Sequence, residues 1–586
     1  MRTALLLLPA AAIVFLAAAG AGVFAWSVCV AAVFTSGGCL LHVVLRPGTA
    51  QRTDAGAPAA TPLTVEWAFA AFLVFLALTL LPVPLGLTAI TGQKRCTQNH
   101  TAYRALQDAA EAKLIEPPSD FFSATRNRAG TMRVVVLVIA AFSVARLTAA
   151  MSTAGRRRLL RFAAYGGVLV AVAGYLSQWR IPQGDTLWWL IPIPHYQPGP
   201  AACFINRNHY GGYIAMLSPV ALALLADDIG ARRLRWFPLS AAAVVILSVA
   251  VFLSMSRGAL LALVPGLAAA LALLLRRRLV LGASFVLLAV LLAVAAARLV
   301  DPAVLARLET LRHPFRTDSL QSRLTAWEQA LTIWPSYPIA GAGANAFRTV
   351  YPQHRQSTER GYRTHVENEY VEVLADMGAV GAGLVVLLIA AAVRAAAVAA
   401  RSDGADPTLA AAALGAATVA AVHALVDFPL HSPLYSVTLA AILGTCMGGP
   451  PGAARPARWV PALSFALACL LAVWAGGMGR LDGEGYLYRA GIAEAARAVA
   501  WAPTSQHAWW FFGWRAYETG SPAGKRVGER ALTQAVVYDP NHYPLWMDLG
   551  NIRRDIGDLS GARAAYAEVK RLRAWMEVPE VPEGRP

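Results

Sequence analysis

The chain repeatedly runs for about twenty residues without a charge, as from Phe237 to Leu253 and from Leu279 to Ala297. A helix of that length crosses the ~30 Å hydrocarbon core of a bilayer. Backbone polar groups find no water there, so the chain must satisfy them internally, and a bundle of helices is the expected fold. Over 586 residues, 57% are hydrophobic and only 15% charged, too little polar surface for a soluble domain of this size. The class read from this is an all-α polytopic membrane protein with twelve or thirteen transmembrane helices. Candidate spans are 4–21, 23–45, 63–82, 131–151, 160–179, 203–226, 237–254, 258–275, 279–299, 371–399, 408–426, 433–449 and 459–477. A signal peptide followed by one helix is the alternative for the first two. No small-residue cleavage site follows a short apolar core, so both are kept as spans.

The net charge of +17 does not mark a nucleic-acid binder, because the arginines lie in short clusters between apolar runs. Cytoplasmic loops of membrane proteins are enriched in Lys and Arg. With the N-terminus inside, Arg156 to Arg158, Arg232, Arg233 and Arg235, Arg276 to Arg278, and Arg455 with Arg458 all fall on the cytoplasmic side. The short outer connections near residues 22, 256 and 430 hold one basic residue, Arg257. The loop of residues 93–130 departs from the rule with six basic residues, partly offset by its acids. An odd number of spans puts the C-terminal tail outside.

Three soluble parts stand apart from the spans within a membrane domain of residues 1–477: the outer loop 93–130, a large outer loop 300–370, and a tail of residues 478–586. The large loop carries Trp327, Trp334, Tyr337, Phe347 and Tyr351, which predicts a folded element. In the tail, Ala502-Pro503 followed by Trp509 recurs 37 residues later as Asp539-Pro540 followed by Trp546. The second copy resembles the tetratricopeptide pattern, whose period is ~34 residues. Fewer than ~3 repeats do not make a stable solenoid, so the tail is expected to dock on the membrane part or on a partner. A plain helical tail is the other reading. The six cysteines show no metal-ligand spacing, and a Cys96–Cys203 disulfide is open if geometry permits.

Four polar clusters interrupt the apolar pattern, all at the outer side. Asn206, Arg207, Asn208 and His209 open the sixth span just before Gly211-Gly212. Ser254, Ser256 and Arg257 form the tip of a hairpin, where a guanidinium is placed to bind an anionic headgroup. The stretch THVENEYVEVLADMGAVG closes the large loop, and His423 and Asp427 lie in HALVD. A helix over Glu367 to Met377 would put Glu367 and Val371 on one face and Asn368 and Glu372 on another. Each cluster alone has a structural reading as a helix end or cap. Their common depth points to one shared site. In the large loop, Arg323 and Trp327 lie four apart on an expected helix, and Gly341-Ala342-Gly343 with Asn345 reads as a tight turn.

The ordered set FINRNHYGGYIAMLSP, SMSRGALLAL, SRLTAWEQAL, PIAGAGANAFRTVYP, THVENEYVEVLADMGAVG and VHALVDFPLHSP resembles the O-antigen ligase and polymerase superfamily over about residues 200–445. The resemblance implies a bacterial inner-membrane glycosyltransferase. It would transfer a glycan from undecaprenyl diphosphate, on the periplasmic face, to an acceptor hydroxyl on a glycan, lipid A core or protein. No cofactor or obligatory metal is implied, and membrane lipid and other assembly proteins are the further partners. By this resemblance Arg257 and Arg207 would hold the diphosphate and the Thr364 to Glu369 cluster would supply the base. Asn206, Asn208, His209, Arg323, Asn368, His423 and Asp427 are the remaining candidate substrate-binding residues. The family's commonest form reads His-x-His-Asn here, whereas this chain reads His365, Val366, Glu367, Asn368. Glu367 is therefore the expected base with His365 assisting, and the reverse assignment stays open. A transporter of lipid-linked sugars would place its ionisable groups near mid-membrane. An inactive scaffold would have no need of Arg207 and Arg257.

Overall fold

The computed structural model describes residues 7–19, 21, 25–45, 61–180, 186–187, 191–192, 202–274, 318–355, 363–401, 406–447, 459–478 and 491–581. Twelve of the thirteen expected spans are helices there, and 279–299 lies outside the described residues. The first three are α1 Leu8–Ala18, α2 Ala25–Val44 and α3 Thr61–Leu80. After the outer helix α4 Gln93–Glu111 come α5 Arg128–Ala149, α6 Thr153–Arg180, α7 Arg207–Gly230, α8 Phe237–Leu253 and α9 Arg257–Leu274. The large loop holds α10 Asp318–Ile333 and the short α11 Phe347–Val350. Then follow α12 Glu369–Arg401, α13 Pro407–His423, α14 Pro433–Gly444 and α15 Trp459–Met478, and the tail supplies α16 Ile492–Trp501, α17 Gln506–Glu518, α18 Pro522–Tyr538, α19 Tyr543–Asp555 and α20 Leu559–Leu572. Among the described residues six helices are long and apolar enough to cross a membrane, and six more apolar helices are shorter. The molecule is thus an all-α polytopic membrane protein; among the described residues the strands form only a two-residue and a three-residue pair.

The membrane bundle is centred on α7, which packs on α6, α8, α9 and α13. Small residues let these helices approach closely. A Cβ on Gly266 of α9 would sit 2.2 Å from Val419, and one on Gly415 of α13 would sit 2.5 Å from Pro219. One end of the bundle is tied by arginine–aspartate pairs. Arg161 Nη1 donates to Asp228 Oδ2 at 3.0 Å, Arg157 Nε to Asp406 Oδ2 at 2.6 Å, and Arg233 Nη1 to Asp227 Oδ2 at 2.8 Å. These pairs join the start of α6, the end of α7 and the start of α13. The four predicted polar clusters all lie at the other end.

The large loop is folded around its own core of Ile333, Tyr337, Phe347, Val350, Tyr351 and Val366. It docks into a break in α12. Gly378 adopts φ 63, ψ −168, so the long expected helix of 371–399 is interrupted. The freed backbone groups are met by the turn predicted at Gly341 to Gly343: Ala342 N donates to Ala375 O at 3.1 Å, Gly343 N to Asp376 O at 2.7 Å, and Ala379 N to Pro338 O at 2.9 Å. Gly341 has φ +65, and a Cβ there would lie 2.1 Å from Asp376 O, so only glycine fits.

The two recurring Pro and Trp pairs of the tail make the same local contact. Trp509 Nε1 donates to Pro503 O at 2.9 Å, and Trp546 Nε1 donates to Pro540 O at the same 2.9 Å. The tail docks as expected, on α4 and on the large loop. Leu106, Ala109 and Phe122 share a core with Val499, Leu532 and Val536. Arg355 of the large loop donates to both oxygens of Asp539 at 3.0 and 3.2 Å, with Asp539 fully buried. All six cysteines are free, so Cys96 and Cys203 do not pair.

Candidate active site

The starts of α7 and α9 lie side by side. A Cβ on Gly211 would meet Ser254 Oγ at 2.6 Å and Ser256 Cβ at 3.0 Å. Arg207 and Arg257 are thus the first residues of two abutting helices, whose N-termini carry partial positive charge. Asn206 caps α7, its side chain accepting from Asn208 N at 2.8 Å. The end of α13 closes on both: the fully buried His423 ring fills the spaces left by Gly212 and Gly258. His423 Nε2 lies 3.5 Å from Asp427 Oδ2, and His209 Nε2 lies 3.3 Å from Asp427 Oδ1. Burial works to raise the Asp427 pKa, but the two imidazoles outweigh it and hold the carboxyl well below the usual range.

The fourth cluster joins through the start of α12. Its helix begins at Glu369, two residues later than a helix over Glu367 to Met377 requires, because Glu367 takes φ +58. Asn368 caps it, its Oδ1 accepting from Tyr370 N at 3.0 Å and Val371 N at 3.1 Å. Glu369 N donates to Ala424 O at 3.0 Å, which fixes this corner against the end of α13. All four clusters therefore meet at one end of the bundle.

Between them opens a cavity of about 530 Å³. Of the predicted residues, Asn206, His209, His365 and Glu367 line it. Arg207, Asn208, Arg257, Arg323, Asn368, His423 and Asp427 stand outside its lining. Arg323 nonetheless bears on it, since its Nε donates to Glu367 Oε2 at 2.7 Å.

His365 is placed differently. Its ring stacks on Phe428 with centroids 4.0 Å apart, and Nδ1 donates to Glu372 Oε1 at 2.7 Å. Because a carboxylate only accepts, this bond puts the ring proton on Nδ1 and leaves Nε2 as a lone pair. Burial pushes the His365 pKa below the ordinary imidazole range despite the pull of Glu372, which favours that neutral form. His431 behaves in the opposite sense: burial works against its charge, but Glu369 and Glu372 outweigh that and raise it to about 9.

The sequence reading missed several lining residues. Arg133 from α5, Arg348 from α11 and Arg363 face the same cavity, as do Phe204, Phe428 and His431. His431 stands in the stretch VHALVDFPLHSP with His423 and Asp427, so its neighbourhood was visible. Arg133 is one of three arginines in the otherwise apolar α5, and Arg348 carries no signal beyond its charge. As for metal, His365, Glu372 and His431 each offer a ligand atom, all within 4.8 Å of one another. That grouping joins elements 66 residues apart in sequence and has no linear spacing signature.

Residues 242–386 match a family model described as O-antigen ligase. The match runs from α8 to the middle of α12 and takes in Arg257, Arg323, His365, Glu367 and Asn368. It is narrower than the resemblance over 200–445 and leaves out Asn206 to His209 and His423 to His431. Among curated proteins, none matches the chain.

Proposed function

We infer that this chain, which carries the O-antigen ligase domain of residues 242–386, is a membrane glycosyltransferase acting at the end of the bundle where the cavity opens. The donor is a glycan on undecaprenyl diphosphate and the acceptor is a hydroxyl of a second glycan, lipid A core or protein, as in a ligase or a polymerase. That end faces the periplasm, a reading supported by Arg156 to Arg158, Arg232, Arg233 and Arg235 at the opposite end.

The observation that carries the reading is the His365–Glu372 pair at 2.7 Å in the wall of an arginine-lined cavity. Transfer needs a base for the acceptor proton and a cationic cradle for the leaving group. The acceptor oxygen attacks the anomeric carbon as the bond to the diphosphate oxygen breaks. His365 Nε2 takes the hydroxyl proton, and Glu372 holds the ring and stabilises the imidazolium that forms. The lipid diphosphate leaves with the electron pair of the broken bond, its charge met by Arg133, Arg348 and Arg363 and by the helix starts that carry Arg207 and Arg257. Phe428 and Phe204 offer faces for sugar rings. Glu367, bonded to Arg323, serves to position that arginine and the loop, so the base role passes from Glu367 to His365.

The test is complementation of a strain lacking the gene, with glycan transfer read on gels. His365→Ala should abolish transfer while Glu367→Gln retains most of it. Full transfer by a well-expressed His365→Ala protein sinks the assignment of the base, and full transfer by Arg257→Ala sinks the role of the α9 N-terminus.

A further inference from the structure

Glu369 and Glu372 each have one carboxylate oxygen tied to the backbone. Leu430 N donates to Glu369 Oε1 at 2.7 Å, and Val366 N donates to Glu372 Oε2 at 2.9 Å. Their remaining oxygens turn towards one imidazole. Glu369 Oε2 lies 3.5 Å and Glu372 Oε1 lies 3.4 Å from His431 Nε2. From a third direction His365 Nδ1 reaches the same Glu372 Oε1 at 2.7 Å.

These distances are informative. N–H···O hydrogen bonds run at ~2.7–3.2 Å, so the contacts of His431 with the two carboxylates are long ones. Bonds of ~2.0–2.1 Å from a tetrahedral zinc ion to nitrogen and oxygen put neighbouring ligand atoms ~3.3–3.4 Å apart. The His431 contacts already have about that length, and the ligand atoms of His365, Glu372 and His431 all lie within 4.8 Å of one another. The backbone donors at Leu430 and Val366 act as outer anchors of the kind that orient ligating carboxylates.

Charge points the same way. Glu369, Glu372 and Asp376 are 5%, 1% and 2% exposed. Among the described residues no Lys or Arg forms an ion pair with any of them; His365 faces Glu372, and His431 faces both Glu369 and Glu372. The imidazolium of His431 balances part of this buried negative charge, and a divalent ion would balance more of it.

We propose that His365, Glu372 and His431, with Glu369 as a supporting carboxylate against His431, form a site for a divalent transition-metal ion such as Zn²⁺ in the wall of the cavity. Its effect on transfer rests on the function inferred above. Coordination through Nδ1 displaces the proton shared with Glu372, and the neutral ring then carries its proton on Nε2. The lone pair that would accept the acceptor's proton is gone, so the metal inhibits.

The experiment uses the full chain in nanodiscs, purified without a histidine tag. Zn²⁺ is titrated in competition with a chromophoric chelator, and Co²⁺ is added in parallel to read its visible absorption. The expected result is one Zn²⁺ per chain and the intense absorption of tetrahedral Co²⁺. Binding should weaken about 10-fold or more in Glu369→Gln and be lost in His431→Gln, consistent with the effect of removing ligands or their supports. Thermal unfolding of each variant checks its fold, and the wild-type Co²⁺ spectrum decides if a variant aggregates. No Zn²⁺ bound, a weak octahedral Co²⁺ spectrum, or equal binding by a folded His431→Gln overturns the site. Zn²⁺ should also suppress transfer reversibly by chelator, with Glu369→Gln active and resistant to about ten-fold more metal. Stoichiometric binding without inhibition overturns the inhibitory role alone. Loss of the transfer function itself is read separately, from His365→Ala.

Discussion

The two ends of the membrane bundle use the same kinds of charge to opposite purpose. At the end of Arg157, Arg161, Arg233, Asp227, Asp228 and Asp406, arginines meet aspartates at hydrogen-bond distance. At the other end Arg133, Arg348 and Arg363 line a cavity with three histidines and one carboxylate, and that carboxylate is held by Arg323. Charges matched one to one lock helices together. Cations set around a cavity with histidines and polar groups present donors and positive potential to an anionic ligand.

The sharpest way to break this contrast is to exchange the expected effects. His365→Ala should lower the rate of glycan transfer by ~10²–10⁴-fold, the span of a lost general base, with little change in unfolding temperature. At the opposite end Asp228→Asn leaves the buried Arg161 poorly paired. It should cost about 3–5 kcal/mol in stability while the folded fraction transfers normally, checked by thermal unfolding beside activity per folded molecule. If Asp228→Asn kills transfer without destabilising, the two ends are not functionally distinct.

A smaller effect is expected from the cavity arginines. Arg348→Gln and Arg363→Gln should each raise the donor concentration for half-maximal transfer by about ten-fold or more, since charge-assisted hydrogen bonds contribute ~1.5–3 kcal/mol. Kinetics with a lipid-diphosphate donor checks this, and unchanged values would move the leaving group away from the cavity. A separate effect is expected in the tail, away from the cavity. Burial lowers the His542 pKa to about 3. The unfolded chain therefore binds a proton below the ordinary value of ~6.5 that the folded tail refuses. Stability contributed there is full above pH ~6.5 and falls with acidification towards pH 3. His542→Gln should flatten that limb in a pH series of tail unfolding, and an unchanged limb would assign it elsewhere.

Much of this was legible in the chain. The spans follow from apolar length, which backbone desolvation makes compulsory in lipid. The depth shared by Asn206 to His209, Ser254 to Arg257, Thr364 to Glu369 and His423 to Asp427 followed from counting spans. The 37-residue recurrence of Pro503 with Trp509 and Pro540 with Trp546 was visible in the chain, and each indole donates to its proline's carbonyl.

What the chain did not disclose were choices made by contacts distant in sequence. Helical spacing put Glu367 on α12, yet its positive φ turns it out to Arg323, 44 residues earlier. His365 gains its partner from Glu372 and its platform from Phe428, and Arg133 reaches the cavity because α5 passes behind it. The sequence by itself determined the solvent each segment requires, because apolar length and charge placement act locally. Which carboxylate holds an imidazole and which is held by an arginine was decided only when helices from across the chain met. Hydrogen bonds and ion pairs depend on distances of a few tenths of an ångström that no linear spacing encodes.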